Sequence, residues 1–200
     1  NQLELNDLTL TLANENTDLQ ISSAVVMDNS TEFIKTGKAD LTMLSTLNIS
    51  AGGVTSTAGT LSFLGGGELT GTGTIDFSGS TWVTGSSLFK QNGGLFIFYQ
   101  TNLRLGKDTT ITSDQSLNIA LLELNDFILT LEVAKTWTST NTNLSLTVEQ
   151  NLTIDESTEG ISAGGADLIL EGALTMTDGL LQSAGGSIIL KSALTMSGGL

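Results

Sequence analysis

The C-terminal part of the chain repeats itself at a fixed spacing of 20 residues. Residues 165–177 (GADLILEGALTMT) and residues 185–197 (GGSIILKSALTMS) are identical at seven of thirteen positions. Most of the other differences are mild, such as Thr177 against Ser197. A fixed period of this length is typical of repeat proteins in which each unit stacks on the next.

Related phrases occur much earlier in the chain. Residues 38–50 (KADLTMLSTLNIS) align without gaps on residues 165–177. The phrase LELNDLTLTL at residues 3–12 returns as LELNDFILTL at residues 122–131, with eight of ten positions identical. SAGG occurs three times: at residues 50–53, 162–165 and 183–186. These echoes predict a degenerate repeat that runs the length of the chain, with insertions in some turns.

Within one period, short alternating segments are separated by corners that contain glycine. Leu8, Leu10 and Leu12 alternate with Thr9 and Thr11, a period-two pattern that favours a strand. Strands of about four residues cannot bury a face alone, but a coil of three such strands can if coils stack in parallel. We therefore predict an all-β parallel β-solenoid (β-helix) of about 20 residues per coil and roughly ten coils, on the order of 48 Å long.

The 20-residue period also predicts which side chains become neighbours. Glu171 should lie directly beside Lys191, where opposite charges would be favourable by about 0.2–1 kcal/mol. The alternative is that both are separately solvated surface residues. The same offset pairs the apolar residues of the two phrases: Leu174 with Leu194, and Met176 with Met196.

Three residue types are missing, and each absence limits the fold or the chemistry. The chain has no proline, which cannot donate to a β-ladder and would be excluded from a backbone made almost entirely of ladders. It has no cysteine, so disulfides and thiolate metal sites are impossible. It has no histidine, the commonest general base and metal ligand. We therefore predict a protein without catalytic residues and without an ordinary zinc site.

The charge balance and the hydropathy pattern exclude several partners. Seven Lys and Arg against 21 Asp and Glu give a net charge of −14, which argues against binding nucleic acid or anionic membranes. No apolar run is long enough to span a membrane. We expect one solenoid domain over residues 1–200, with irregular, aromatic-rich coils at about 61–100 and the most regular coils at 160–200. Because the chain starts at Asn1 without a signal peptide, we expect a processed product or a segment of a longer protein.

The phrases ALTMTDGLLQSAGGSIIL, LTGTGTIDFSG and LELNDLTLTL resemble the coils of large bacterial surface proteins. These are the filamentous-haemagglutinin-like and autotransporter-type adhesins, whose repeat regions form parallel β-helices. The resemblance covers most of the chain and implies secretion, an extracellular or cell-surface location and a rod-like structural role. It implies no catalytic residue.

One acidic cluster and one aromatic segment are the candidate sites. Asp155, Glu156 and Glu159 form the densest group of carboxylates, in a stretch that resembles a turn. The expected interpretation is a solvated corner, and the alternative is a weak Ca²⁺ site. No other cofactor is expected.

Seven of the ten aromatic residues lie between Phe63 and Tyr99. We expect them to fill a broader coil or to form an edge platform. The functional alternative is a stacking surface for sugar rings or for a partner, formed by Trp82, Phe98 and Tyr99.

The predicted function is that of a non-catalytic structural rod in a secreted adhesin or extracellular filament. Neither end of the sequence has a recognisable polar cap, so the expected partners are other copies of the chain or further repeats of a longer one. An alternative is a carbohydrate-binding or carbohydrate-cleaving β-helix, which requires a groove that brings the aromatic segment near clustered acids. A less favoured alternative is an ice-binding solenoid, which requires a flat face with Thr-x-Thr at the same place in successive coils.

Overall fold

A computed structural model describes residues 2–5, 7–12, 14, 17–85, 88–113, 116–133 and 144–198. These residues contain 27 short strands and no helix. The strands follow one another in sets of three, and each set is one coil of a solenoid with three faces. We number the faces by the order in which the chain visits them. The first corner joins faces one and two, the second joins faces two and three, and the third leads to the next coil.

The strands of the first face form one nine-stranded sheet: β1 (Gln2–Glu4), β4 (Ala24–Met27), β7 (Leu47–Ile49), β10 (Gly67–Thr70), β13 (Leu88–Asn92), β16 (Thr109–Ser113), β19 (Ile128–Val133), β22 (Gly160–Ser162) and β25 (Leu180–Gln182). Those of the second face form a five-stranded and a four-stranded sheet: β2 (Thr9–Thr11), β5 (Phe33–Gly37), β8 (Gly53–Ser56), β11 (Thr74–Asp76) and β14 (Leu95–Ile97), then β17 (Leu117–Ile119), β20 (Ser145–Val148), β23 (Asp167–Leu170) and β26 (Ile188–Leu190). Those of the third face form a six-stranded and a three-stranded sheet: β3 (Leu19–Ile21), β6 (Leu41–Met43), β9 (Thr60–Phe63), β12 (Thr81–Thr84), β15 (Asn102–Leu105) and β18 (Leu121–Glu123), then β21 (Leu152–Ile154), β24 (Leu174–Met176) and β27 (Leu194–Met196).

Every strand pairs in parallel with its equivalent one coil away, which confirms the all-β parallel solenoid. The number of coils was predicted slightly too high, because nine sets of strands are stacked, which makes about eight turns from the first set to the last at a spacing of about 21 residues. Some turns are longer than the C-terminal repeat: Gln2 pairs with Ala24, and Ile128 pairs with Gly160. At ~4.8 Å per turn the stack is about 38 Å long rather than 48 Å.

The core is a set of apolar ladders that run along the axis. Inward residues of successive coils are register partners, as Val25 is of Leu47 and Leu146 is of Leu168, and all four are fully buried. Burying a leucine or valine contributes about 1.5–3 kcal/mol, so continuous ladders can stabilise strands too short to fold alone. The predicted register in the last coils is confirmed in the pairs Leu174 with Leu194 and Met176 with Met196.

Polar residues also follow the coil-to-coil register. The ammonium of Lys191 lies 2.9 Å from the carboxylate of Glu171, so the predicted ion pair is confirmed. A second pair joins Arg104 to Glu123, which are register partners on the third face. The hydrogen bond to Glu123, together with its negative charge, raises the pKa of Arg104.

The repeated phrases occupy different corners in the two halves of the chain. The Ala-Asp-Leu phrase places Asp40 at the second corner, whereas Asp167 is the first residue of β23, directly after the first corner. The LELND phrase lies at the first corner between β1 and β2, and at the third corner between β18 and β19. The second copy of each phrase therefore lies one corner earlier. Such a shift requires that the three corners offer nearly the same surroundings to the residues that occupy them.

Asp40 and Asp167 nevertheless keep the same role after this shift. Each carboxylate accepts a backbone N–H from the next coil, of Thr60 and Ser187 respectively, at 2.6 Å in both cases. The aspartate thus bonds one coil to the next at a point where the strand ladder is interrupted by a corner.

Candidate functional site

The acidic segment at the third corner separates into exposed and buried carboxylates. Asp155 and Glu156 are exposed, whereas Glu159 is 7% exposed. One carboxylate oxygen of Glu159 accepts the N–H of Asp126 at 3.1 Å, and the other accepts the N–H of Asp155 at 3.0 Å. The expectation of a solvated corner is therefore wrong for Glu159 and correct for its two neighbours.

This arrangement assigns Glu159 a structural role. Carboxylates are rarely buried unless their oxygens accept hydrogen bonds, and here each oxygen of Glu159 has a backbone N–H donor. One donor belongs to the same corner and the other to the preceding coil, so the carboxylate joins two coils. The described residues contain no group of three or more His, Cys, Asp or Glu side chains able to hold a metal ion. They do not assemble a Ca²⁺ site around Asp155, Glu156 and Glu159.

Glu32 forms the same arrangement in the first half of the chain. It is 4% exposed, and its carboxylate accepts the N–H groups of Asp28 at 2.8 Å and Asn29 at 3.2 Å. Its other oxygen accepts the N–H of Asp7, in the preceding coil, at 3.4 Å. Sequence reasoning did not identify Glu32. The available signal was the phrase D-x-S-T-E, which occurs at residues 28–32 and again at 155–159.

Each arrangement extends over three coils. In the coil before the glutamate, Asp7 and Asp126 have positive φ angles of 65° and 68°, which turn their N–H groups toward the carboxylate. In the coil after it, a glycine of positive φ lies against the glutamate backbone: Gly52 with φ 71° and Gly179 with φ 84°. A Cβ at Gly179 would lie 2.7 Å from the carbonyl oxygen of Glu159. We call these two arrangements the glutamate corners.

The aromatic segment fills the interior of the solenoid. Trp82 is fully buried, and its ring lies 4.8 Å from that of Phe77 between centroids. Phe98 is half-buried and stacks on Phe77 at 5.4 Å. The expectation of core filling therefore holds for Trp82, whereas the alternative of a stacking surface is wrong for this residue, because a buried ring cannot contact a sugar. Tyr99 is the exposed member, at 66%.

The structure does not bring the aromatic and acidic segments together. Tyr99 lies at the second corner, between β14 and β15, whereas Asp155 and Glu156 lie at the third corner, between β21 and β22. The groove required for a carbohydrate-cleaving β-helix is thus not formed by these residues.

Outward threonines form a single file on the third face. Thr153, Thr175 and Thr195 are register partners in three successive coils. A flat Thr-x-Thr array also needs a threonine two positions after each of these residues. Those positions hold Asp155, Thr177 and Ser197, so only one of the three is a threonine. Another Thr-x-Thr stretch of the sequence, Thr136, Thr138 and Thr140, lies outside the described residues, as does the rest of 134–143.

In the coil formed by β25, β26 and β27, apolar residues are exposed at positions whose register partners in the preceding coil are buried. Leu194 is 46% exposed and Met196 is 55% exposed, although their register partners Leu174 and Met176 are each 1% exposed. Ile188, at 38%, likewise continues the ladder of the buried Leu168. We call this surface, formed by Ile188, Leu194 and Met196, the C-terminal end face.

Comparison with protein-family models, with curated proteins and with solved structures finds no match for this chain. Among the described residues there is also no helix with the length and apolar character needed to cross a membrane. The functional interpretation therefore depends on the geometry of the solenoid itself.

Proposed function

We propose that the protein is a non-catalytic structural rod of a secreted or cell-surface adhesin or of an extracellular filament. The observation that supports this proposal is the continuous stack of parallel coils around one apolar core. Such a stack is quasi-one-dimensional, because each coil contacts its neighbours and the rod can be lengthened by adding coils. The resemblance to adhesin repeats supports the extracellular location.

The hydrogen bonds that the buried polar groups make also support a structural role. Catalysis requires a titratable group that is free to exchange a proton or to attack a substrate. The two buried glutamates instead hold backbone N–H groups, and buried hydroxyls are similarly bonded. Thr84 and Thr109 bond to each other at 2.7 Å, and Thr101 donates to the carbonyl oxygen of Phe77.

The proposal is tested by small-angle scattering and electron microscopy of the purified protein, with and without Ca²⁺. We expect elongated particles whose cross-section is constant, with the same profile in both conditions because the glutamate corners need no ion. A compact particle, or a profile that becomes elongated when Ca²⁺ is added, would contradict the proposal. A glycan array run in parallel tests the carbohydrate-binding alternative, with Tyr99→Ala as the control variant for any signal.

A further inference from the structure

We propose that Asn29 is a modification site, whose side-chain amide accepts a sugar from a glycosyl diphosphate in a reaction catalysed by a glycosyltransferase. Asn29 begins the sequence Asn-Ser-Thr at residues 29–31, which has the N-x-[ST] pattern of acceptors for asparagine-linked sugars. This inference goes beyond the proposed rod function, because its argument uses the geometry of a single corner.

The N-x-[ST] pattern occurs four times, so the sequence alone does not select one acceptor. The four asparagines are Asn29, Asn48, Asn143 and Asn151. Asn143 lies outside the described residues, and the other three are all exposed. Exposure therefore does not distinguish them, whereas the hydrogen bonds of each motif do.

The motif at Asn29 forms a turn in which the asparagine and the hydroxyl residue are bonded to each other. Asn29 lies at the first corner, between β4 and β5, and residues 29–31 are exposed. Its Oδ1 accepts the hydroxyl of Thr31 at 3.1 Å and the backbone N–H of Thr31 at 3.2 Å. Because a backbone N–H requires an acceptor, the carboxamide oxygen is fixed on the side of Thr31 and Nδ2 on the opposite side. An exposed turn of this kind is accessible to an enzyme.

The other two described motifs are instead bonded to neighbouring coils. Asn48 is the middle residue of β7, a strand that is paired on both sides, and the hydroxyl of Ser50 donates to the carbonyl oxygen of Met27 at 3.4 Å. The Oδ1 of Asn151 accepts the N–H of Ala173 in the next coil at 2.9 Å. A transferase could bend either motif into its active site only by breaking contacts between coils.

The second glutamate corner shows that the fold does not require asparagine at this position. The phrase D-x-S-T-E places Glu156 where the first corner has Asn29. In both corners the carbonyl oxygen of this residue accepts the N–H of the buried glutamate, from Glu32 at 3.1 Å and from Glu159 at 3.0 Å. The backbone contact is therefore the same with a different side chain, and the complete N-x-[ST] motif is found at the first corner but not at the second.

The transfer is a substitution at the anomeric carbon of the sugar. The bond from Nδ2 of Asn29 to this carbon forms, the bond from the carbon to the diphosphate oxygen breaks, and one amide proton passes to a base of the transferase. The diphosphate is the leaving group. Because the first corner lies on the side of the rod, the attached sugar does not interrupt the stacking of coils along the axis.

Peptide mapping by mass spectrometry tests the site on protein isolated from its native cell. We expect a sugar on the peptide that contains Asn29 and none on the peptides that contain Asn48 or Asn151. An amidase that releases asparagine-linked glycans should remove this sugar and leave a carboxylate at position 29. A sugar that resists the amidase would be attached to the hydroxyl of Ser30 or Thr31, which would overturn the proposal.

Variants at the same corner test the role of the motif. Thr31→Ser keeps a hydroxyl and should keep the sugar, whereas Thr31→Ala should lose it. Asn29→Glu copies the second corner, so it should lose the sugar and keep the β-sheet circular dichroism of the wild type. Native protein without a sugar on Asn29, or equal modification of Asn29, Asn48 and Asn151, overturns the proposal. The rod function stands in that case if the same protein still scatters as an elongated particle.

Discussion

At the residue scale, Glu32 and Glu159 show how a carboxylate can stabilise an interior made mostly of leucine. Among the described residues they are the charged side chains that are buried. Each accepts N–H groups from its own corner and from the coil before it, where a positive-φ aspartate turns its backbone inward. The carboxylate therefore replaces strand-to-strand hydrogen bonds that the corner interrupts.

Replacing these carboxylates by amides should destabilise the fold. Glu159→Gln keeps the size of the side chain but directs an NH₂ group at one of the two backbone donors, which leaves that donor unsatisfied. We expect the free energy of unfolding to fall by about 1–3 kcal/mol. Glu32→Gln should have an effect of the same size, as measured by urea denaturation. The control is Glu156→Gln on the exposed side of the same corner, which should change stability little. Equal effects at Glu156 and Glu159 would contradict the assigned role.

The sequence indicated these corners only in part. The repetition of LELND and of D-x-S-T-E showed that two segments of the chain share a local structure. It did not show that Glu159 is buried, because its second donor, Asp126, is 33 positions away in another coil. From the local sequence alone, three acidic residues within five positions predict a solvent-exposed turn. The distinction between Glu159 and Glu156 depends on the stacking of coils, which no local pattern contains.

At the element scale, the corner glycines show where coils approach most closely. Gly52 and Gly37 both have positive φ, at 71° and 60°. A Cβ on Gly37 would meet no atom within 4 Å, whereas a Cβ on Gly52 would overlap the carbonyl oxygen of Glu32 in the preceding coil. A side chain at Gly37 would therefore cost only the strain of the backbone conformation, whereas a side chain at Gly52 would add a steric clash with the preceding coil.

Alanine substitution at these two positions tests that separation. Gly37→Ala should lower the free energy of unfolding by about 1–2 kcal/mol, the cost of a left-handed conformation for a residue with a Cβ. Gly52→Ala should cost a further 1–3 kcal/mol or so, because backbone atoms of the preceding coil must move. Thermal unfolding followed by circular dichroism would measure both. Equal losses would indicate that the corner has room for a side chain.

The aromatic coils show what composition can and cannot predict. Clustering of seven aromatic residues between Phe63 and Tyr99 correctly indicated a distinct region of core. Composition could not predict that Trp82 is buried and Tyr99 exposed, because burial depends on which residues of each strand point inward. Trp82 is the second residue of β12, between the outward Thr81 and Val83, and its register partners Leu61 and Leu103 are both buried.

Tryptophan fluorescence tests the burial of Trp82. In a Trp137→Phe variant, Trp82 is the single tryptophan of the chain. We expect its emission at shorter wavelength than in the urea-unfolded protein, with acrylamide quenching reduced several-fold. The Trp82→Phe variant, which keeps Trp137, controls for the contribution of the other tryptophan. Emission and quenching that do not change on unfolding would place Trp82 at the surface.

At the scale of the whole molecule, the sequence predicted the architecture but not the number of coils. The 20-residue period holds where Leu174 pairs with Leu194, but Ile128 and Gly160 are 32 positions apart. A corner can take extra residues without disturbing the strands on either side, so the chain length divided by the shortest period overestimates the turns. The shift of the repeated phrases by one corner has the same origin, since each phrase needs a corner but no particular one of the three.

A solenoid of this kind should tolerate the loss of one whole coil but not of a fraction. Deleting residues 165–184 joins Gly164 to Gly185 and brings Ile188 into the register position of Leu168, against Leu146. We expect a folded rod about 4.8 Å shorter, with β-sheet circular dichroism retained and a smaller free energy of unfolding. Deleting residues 165–174 removes half a coil, so the remaining strands meet the wrong faces and the C-terminal coils should unfold. If the two deletions were equally damaging, stability would depend on particular residues of the removed segment rather than on the stacking of equivalent coils.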